Sequence, residues 1–300
     1  MSNPLFRGVA TALVTPFRLD FIHYETYDRL LLRQLEAGVA AVVVCGTTGE
    51  SATLSDGEKL ELIRHTVTAV RERCLVIAGT GSNDTAHAIA LSRAAEAQGA
   101  DALLVVTPYY NKATPRGLIE HYLTLADQVS IPLIVYNVPS RTGVDVPVEV
   151  YRTLAEHPMI CGVKEASGAI GKVARIRAAC PAGFGIWSGN DDQTVPVAAL
   201  GGDGVVSVLA NLCPAFTVEM TKLALQGDFA RAGALQCRYM ALIDGLFREV
   251  NPIPVKAAMN LLGLQAGHCR LPLTDPEPET LEELEALLEQ YGLLREKPSN

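Results

Sequence analysis

Met159-Ile-Cys-Gly-Val-Lys-Glu-Ala-Ser-Gly168 opens as a short apolar run, partly β-branched, arrives at a lysine and leaves through a turn of small residues. The run reads as a strand buried on both faces of a parallel sheet, with Lys164 at its carboxyl end. A lysine is out of place there. Taking an ammonium out of water is costly unless it is paired, and an amine that has given up its proton is a nucleophile for carbonyl carbon. The plainer reading is a lysine that opens the next helix and extends to solvent along its apolar stem.

Outward from this stretch the same motif recurs. Short apolar runs at Val9–Val14, Ala41–Cys45, Leu75–Ala78, Ala102–Val106, Leu133–Tyr136, Ile160–Lys164, Gly185–Ser188 and Gly204–Val208 read as strands. Helical patterns near 26–37, 56–73, 85–98, 116–128, 147–156, 170–179, 192–200 and 215–226 fall between and after them, several opened by Ser, Asp, Thr or Pro. Strand and helix alternating eight times predicts an α/β fold of the (β/α)8 or TIM-barrel type over residues 1–228, with a doubly wound open sheet as the alternative. From residue 229 to 300 only helical patterns remain: Phe229–Val250, a segment opening at Asn251-Pro-Ile-Pro, and Leu281–Tyr291. The proline-rich stretch Leu271-Pro-Leu-Thr-Asp-Pro-Glu-Pro278 separates the last two, so an all-helical extension is expected after the barrel.

Composition limits the function. The 300 residues are 49% hydrophobic with a mean hydropathy of +0.20, enough for a sizeable core. A net charge of −8 and a pI near 5.3 argue against a nucleic-acid or anionic-membrane surface. The longest uncharged apolar run, Gly204 to Val218, is interrupted by Asn211 and Pro214, so no membrane span is expected. The start, Met1-Ser-Asn-Pro-Leu-Phe-Arg7, carries no export signal, and a cytoplasmic location is expected. Seven cysteines, at 45, 74, 161, 180, 213, 237 and 269, form no C-x-x-C, and six histidines form no ligand spacing. They read as thiols in a reducing compartment and as no dedicated metal site.

In a (β/α)8 barrel the active site is built from the carboxyl ends of the strands. Here those ends carry Gly46-Thr-Thr-Gly-Glu50, Gly79-Thr-Gly-Ser-Asn83, Thr107-Pro-Tyr-Tyr-Asn111, Tyr136-Asn-Val-Pro-Ser-Arg-Thr-Gly143, Lys164-Glu-Ala-Ser-Gly168 and Ser188-Gly-Asn-Asp191. Each has a bland reading: Thr47 and Thr48 as turn hydroxyls, Tyr109 and Tyr110 as a packing pair, Arg141 as a surface charge, Asp191 and Asp192 as the acidic start of a helix. Gly79-x-Gly81 lacks the third glycine of a dinucleotide fingerprint. Together they suit one chemistry. An unprotonated Lys164 condenses with a 2-oxo acid to an imine, whose nitrogen acidifies the neighbouring C–H. Tyr136 is suited to move protons beside it, relayed to solvent through Thr47 and a tyrosine of the fourth strand end. The Thr48-Gly49 turn offers N–H and hydroxyl donors to the substrate carboxylate, and Arg141 suits a second carboxylate.

At these residues the chain resembles the dihydrodipicolinate synthase branch of the pyruvate-dependent class I aldolase family. The likeness rests on Gly46–Glu50, Thr107–Asn111, Tyr136–Gly143, Val163-Lys-Glu165, Gly204-Val-Val-Ser-Val208 and Asn251-Pro-Ile-Pro-Val-Lys256, in order along almost the whole chain. The resemblance implies a lyase that condenses pyruvate with L-aspartate 4-semialdehyde on the route to diaminopimelate and lysine, as a homotetramer (a dimer of dimers) without metal or organic cofactor. It implies Lys164 as the Schiff-base residue, Tyr136 as proton donor and acceptor, and Thr47 and Tyr110 as relay, with Tyr110 lent across a subunit interface. Thr48 would bind the pyruvate carboxylate, Val206 and the Gly189 backbone would line its pocket, and Arg141 would receive the semialdehyde carboxylate.

Relatives inhibited by lysine carry His and Glu where this chain has Lys59 and His87, while Ser51, Ala52, Asn83 and Tyr109 fit their pattern. An ammonium at 59 repels an incoming lysine, so weak or absent feedback inhibition is expected. Two competing functions stand beside the synthase: an aldolase or dehydratase acting on a 2-keto-3-deoxy sugar acid or N-acetylneuraminate, and a non-catalytic barrel serving as a sensor or assembly module.

Overall fold

The computed structural model describes residues 4–294. The first three residues of the segment read for an export signal, and the last six of the expected helical extension, lie outside the described residues. Eight parallel strands close into a barrel: β1 (Gly8–Ala12), β2 (Ala41–Val44), β3 (Leu75–Gly79), β4 (Ala102–Val106), β5 (Leu133–Asn137), β6 (Ile160–Glu165), β7 (Gly185–Ser188) and β8 (Gly204–Ser207), with β8 pairing back to β1. The open doubly wound sheet is therefore set aside. All eight strands lie where the apolar runs put them, with ends within two residues.

Helices α1 (Tyr24–Ala37), α2 (Asp56–Val70), α3 (Thr85–Ala97), α4 (Pro115–Ala126), α5 (Val148–Leu154), α6 (Ile170–Ala179), α7 (Thr194–Ala199) and α8 (Pro214–Leu225) form the outer ring. Their starts follow local chemistry. Ser55 caps α2 in a reciprocal capping box with Glu58, Asp84 caps α3, and Thr114 caps α4 ahead of a proline. Three more helices, α9 (Phe229–Gly245), α10 (Ile253–Leu261) and α11 (Pro278–Gln290), make up the tail. They share a hydrophobic core with Val14, Leu30, Val208 and Leu209, so the tail is packed onto the barrel and not tethered beside it.

Side chains of a strand alternate between faces, which divides the apolar residues of the barrel into two layers. Val135 and Val163 join the layer under the helices, while Ile134, Tyr136, Val43, Ile77 and Val206 fill the interior. The interior is plugged by Trp187, stacked on Phe6 with ring centroids 4.6 Å apart, its indole N–H donating to the Phe6 carbonyl at 3.3 Å. Gly162 and Gly185 leave room for that ring: a Cβ on Gly162 would lie 2.7 Å from it. The sequence reading passed over this plug. It also missed the small hairpin of Phe17–Arg18 and Phe21–Ile22, whose two-residue strands are below the length at which a period shows.

Candidate active site

The barrel register brings the two central residues together. Tyr136 on β5 and Lys164 on β6 are direct cross-strand neighbours, and the alternation turns both inward. Lys164 is 6% exposed and Tyr136 7%, so neither runs out to bulk solvent. The Lys164 amine lies over the Tyr136 ring, 4.1 Å from its centroid. The contact is amine to ring face, and no hydrogen bond or ion pair holds Lys164 among the described residues. Gly189, at the end of β7, admits the lysine stem: a Cβ there would meet the Ala166 Cβ at 2.6 Å and the Lys164 Cε at 3.1 Å. Val206, buried on β8, lines the same interior.

The next residue of each strand faces outward. Asn137 and Glu165 are opposite one another, and the Asn137 amide donates to Glu165 at 3.0 and 3.1 Å and to Asp145 at 2.9 Å. Glu165 also accepts from the Ser167 N–H at 2.8 Å and the Tyr151 hydroxyl at 3.3 Å, and Lys172 bonds Asp145 and lies 3.7 Å from Glu165. Burial first, and Glu165 second, push the Tyr151 phenol well above its ordinary pKa, so it stays a donor. This network fixes β5 to β6 directly behind Tyr136 and Lys164. The sequence reading missed it, although polar residues alternating with site residues on two neighbouring strands would have been a signal.

The Gly46–Glu50 turn is held from below by Thr15, whose hydroxyl donates to the Gly49 carbonyl at 2.7 Å. A side chain on Gly49 would be crowded, its Cβ 3.0 Å from the Leu13 carbonyl oxygen and 3.3 Å from the Thr15 hydroxyl. Its N–H is spent on the Gly46 carbonyl at 3.1 Å, so Gly49 is not the backbone donor expected of it. The N–H groups of Thr47 and Thr48 have no acceptor among the described residues. Thr47 is half-buried with its hydroxyl free, whereas the buried Thr48 hydroxyl accepts from the Asn251 amide at 2.9 Å. Arg141, in the helical turn Pro139–Thr142, is exposed and donates to the Asn251 carbonyl at 3.2 Å. Arg141 and Thr48 thus share Asn251 as a hydrogen-bond partner, the arginine at its main-chain carbonyl and the threonine at its side-chain amide. Asn251, in the tail, joins two site residues that are distant in sequence, a role the motif match left unassigned.

Tyr110 stands apart from this cluster. It is 92% exposed, its φ of 71° is left-handed, and its hydroxyl meets no partner in its own chain among the described residues. A single chain therefore does not assemble the relay of Thr47, Tyr110 and Tyr136. Asp191 and Asp192 do open a short 3-10 helix, Asp191–Gln193, and Asp191 is in addition a buried clamp: it accepts from the Ser207 hydroxyl and from the Val208 and Leu209 N–H groups at 2.9 and 3.0 Å. Burial raises its pKa above the ordinary carboxylate range.

The residues matched to a lysine-binding site fall in three local groups. Ser51 and Ala52 sit in a short 3-10 helix, and the Asn111 amide ties the Tyr109 turn to the Asn83 carbonyl at 2.9 Å. Between Lys59 and His87 lies Asp56, which the sequence reading had not named. It pairs with the Lys59 ammonium at 3.1 Å and the His87 ring at 2.8 Å, and its carboxyl is held below the usual range, first by His87 and also by Lys59. Lys59 is therefore balanced by a carboxylate from its own chain.

A closed (β/α)8 barrel, with a buried amine at its strand-end face that has no hydrogen-bond or ion-pair partner among the described residues, suits a Schiff-base-forming barrel enzyme. Residues 5–291 match the dihydrodipicolinate synthetase family, and the chain belongs to that family. It is 50% identical over 290 residues to the 4-hydroxy-tetrahydrodipicolinate synthase of Caldicellulosiruptor bescii, covering 96% of this chain and 98% of that one. It is 46% identical over 294 residues to the enzyme of the same name from Acetivibrio thermocellus, covering 98% and 100%. The crystal structure of the Thermotoga maritima dihydrodipicolinate synthase superposes with a TM-score of 0.95 at 41% identity, covering 97% and 100%.

Proposed function

We propose that this chain is a 4-hydroxy-tetrahydrodipicolinate synthase, a lyase that condenses pyruvate with L-aspartate 4-semialdehyde through an imine on Lys164. The observation that carries the reading is the buried Lys164 amine, held over Tyr136 with no carboxylate among the described residues to occupy it. In this mechanism the amine adds to the pyruvate keto carbon and water leaves as the imine forms. The electron-poor C=N bond then lets the methyl group lose a proton, the enamine carbon bonds to the semialdehyde aldehyde carbon as its oxygen takes up a proton, and the semialdehyde amino group or water displaces Lys164 from the regenerated imine. Tyr136, whose ring packs under the amine, delivers and removes protons with its hydroxyl as the imine forms.

Thr48 takes the pyruvate carboxylate with its hydroxyl and N–H, Val206 and Gly189 wall the pocket, and Arg141 takes the semialdehyde carboxylate. The arginine favours the synthase over a sugar-acid or N-acetylneuraminate aldolase, because it suits a second carboxylate and is tied to the same Asn251 that bonds Thr48. Thr47 and Tyr110 complete the relay, with Tyr110 reaching a neighbouring copy of the chain. Its near-complete exposure and left-handed backbone support that role, and with it a homo-oligomer, a dimer of dimers. The free thiols of all seven cysteines suit a cytoplasmic enzyme, and no helix among the described residues is long and apolar enough to cross a membrane.

Borohydride reduction in the presence of pyruvate tests the central claim. A stable adduct located on Lys164 is expected, and an unmodified lysine at full pyruvate saturation overturns it. Turnover of aspartate semialdehyde against N-acetylneuraminate separates synthase from aldolase. At Lys59 and His87, Asp56 already pairs with both side chains, and a lysine ligand gains no glutamate there, so activity should persist in millimolar L-lysine. Inhibition by tens of micromolar lysine contradicts this.

A further inference from the structure

We infer that Asn251 is a positioning residue that sets the direction of the Thr48 hydroxyl, making it a donor to the pyruvate carboxylate. The inference rests on the proposed role of Thr48. Asn251 is 5% exposed and sits just ahead of α10, and its segment grips the Gly46–Glu50 turn at two points. At one, the Asn251 Nδ2 donates to Thr48 Oγ1 at 2.9 Å. At the other, Lys256, on the first turns of the same helix, pairs with Glu50 at 2.7 Å, both side chains 1% exposed. The turn is thus fixed at both its third and fifth residues by the tail.

A threonine hydroxyl has one proton to give and lone pairs to receive, whereas an amide nitrogen only gives. Because Nδ2 donates, the Thr48 oxygen accepts on the Asn251 side, and its proton is turned elsewhere. No acceptor for that proton exists among the described residues. A carboxylate, which only accepts, fits there. The cost is visible on the other side of the amide: the Asn251 Oδ1 is buried without a hydrogen-bond partner. Turning the amide over would pair this oxygen with the Thr48 proton but leave Nδ2 without its acceptor. That alternative would leave Thr48 with only lone pairs for the substrate. The main-chain carbonyl of the same residue accepts from Arg141 at 3.2 Å, so the side chain serves one carboxylate receiver and the backbone the other.

The division of labour gives a selective test, made on the full-length assembled enzyme. Asn251→Asp keeps the shape but replaces the donor with an acceptor that captures the Thr48 proton. The KM for pyruvate should rise about tenfold, the value of one lost charge-assisted hydrogen bond, while the KM for the semialdehyde stays within about twofold. Asn251→Ala, which only deletes the donor, should give the same selectivity at about threefold. Thr48→Val should itself raise the pyruvate KM, and adding Asn251→Ala to it should change nothing more, because the residues act through one bond. Equal shifts in both KM values, or a full additional effect in the Thr48→Val background, overturn the inference and leave the role of Thr48 standing. A Thr48→Val enzyme with unchanged pyruvate KM overturns that role instead.

Discussion

Lys164 and Lys256 are both withdrawn from water, at 6% and 1% exposure, yet the barrel mouth and the tail junction treat them in opposite ways. Around Lys256 everything is satisfied: Glu50 at 2.7 Å, the Thr15 carbonyl at 3.0 Å, the His268 carbonyl at 2.5 Å and the Phe17 ring at 4.5 Å. Burial pushes its pKa down, and the Glu50 carboxylate opposes that push. Around Lys164 there is a ring face and a glycine that makes room. A buried lysine whose hydrogen bonds are complete is a structural tie. One whose nitrogen has been left without a partner is available for chemistry, and the surrounding network of Asn137, Glu165 and Lys172 spends its charges on the outer side of the strands.

The largest effect that would break this comparison is on turnover. Lys164→Met should reduce kcat/KM on the order of 10⁴-fold, the scale seen when a nucleophile is removed, with little change in thermal midpoint. Comparable activity in that variant would mean that the amine is not the nucleophile. Lys256→Met should do the reverse. Stranding Glu50 in the interior should cost about 3–5 kcal/mol in denaturant titrations, while the folded fraction still traps pyruvate. Loss of the borohydride adduct in well-folded protein would erase the distinction between the two lysines.

Tyr136→Phe sharpens the mouth side. The ring stays against the amine but the hydroxyl is lost, so turnover should fall about 10²-fold while slow adduct formation on Lys164 persists. The smallest effect concerns the tail junction in acid. Arg270 bonds Glu58 at 2.6 Å and, with help from Ser55, holds its carboxyl down to about 2 from 4.5 against the opposing effect of burial. A carboxyl lowered in the folded state adds stability above its unfolded pKa, and that stability is lost as pH falls through the folded value. Glu58→Gln should therefore flatten part of the decline in thermal midpoint between pH 4.5 and 2. An unchanged decline would show that the Arg270 contact is of no consequence to folding.

The strands were legible because each is a short apolar run with a turn behind it, and eight such runs at regular spacing admit few architectures. Lys164 was legible for the same reason, as the wrong residue type at the end of such a run. Asp191 was not: an acidic residue before a helix has an ordinary local explanation, and only the barrel brings Ser207 and the Val208 and Leu209 N–H groups onto it. Trp187 gave no positional signal either, since its partner Phe6 lies 181 residues away.

The order of residues along the chain determined the alternation of strand and helix, the positions of the strand ends and the chemical character of the residues placed there. Those are consequences of local periodicity and turn chemistry, which act over a few residues. Tertiary structure alone decided that Asn251 reaches Thr48 across 203 residues and that Lys256 neutralises Glu50 across 206. It also decided that Lys164 is the buried amine left unpaired, because partners at such separations are chosen by barrel closure and burial, not by spacing in the chain.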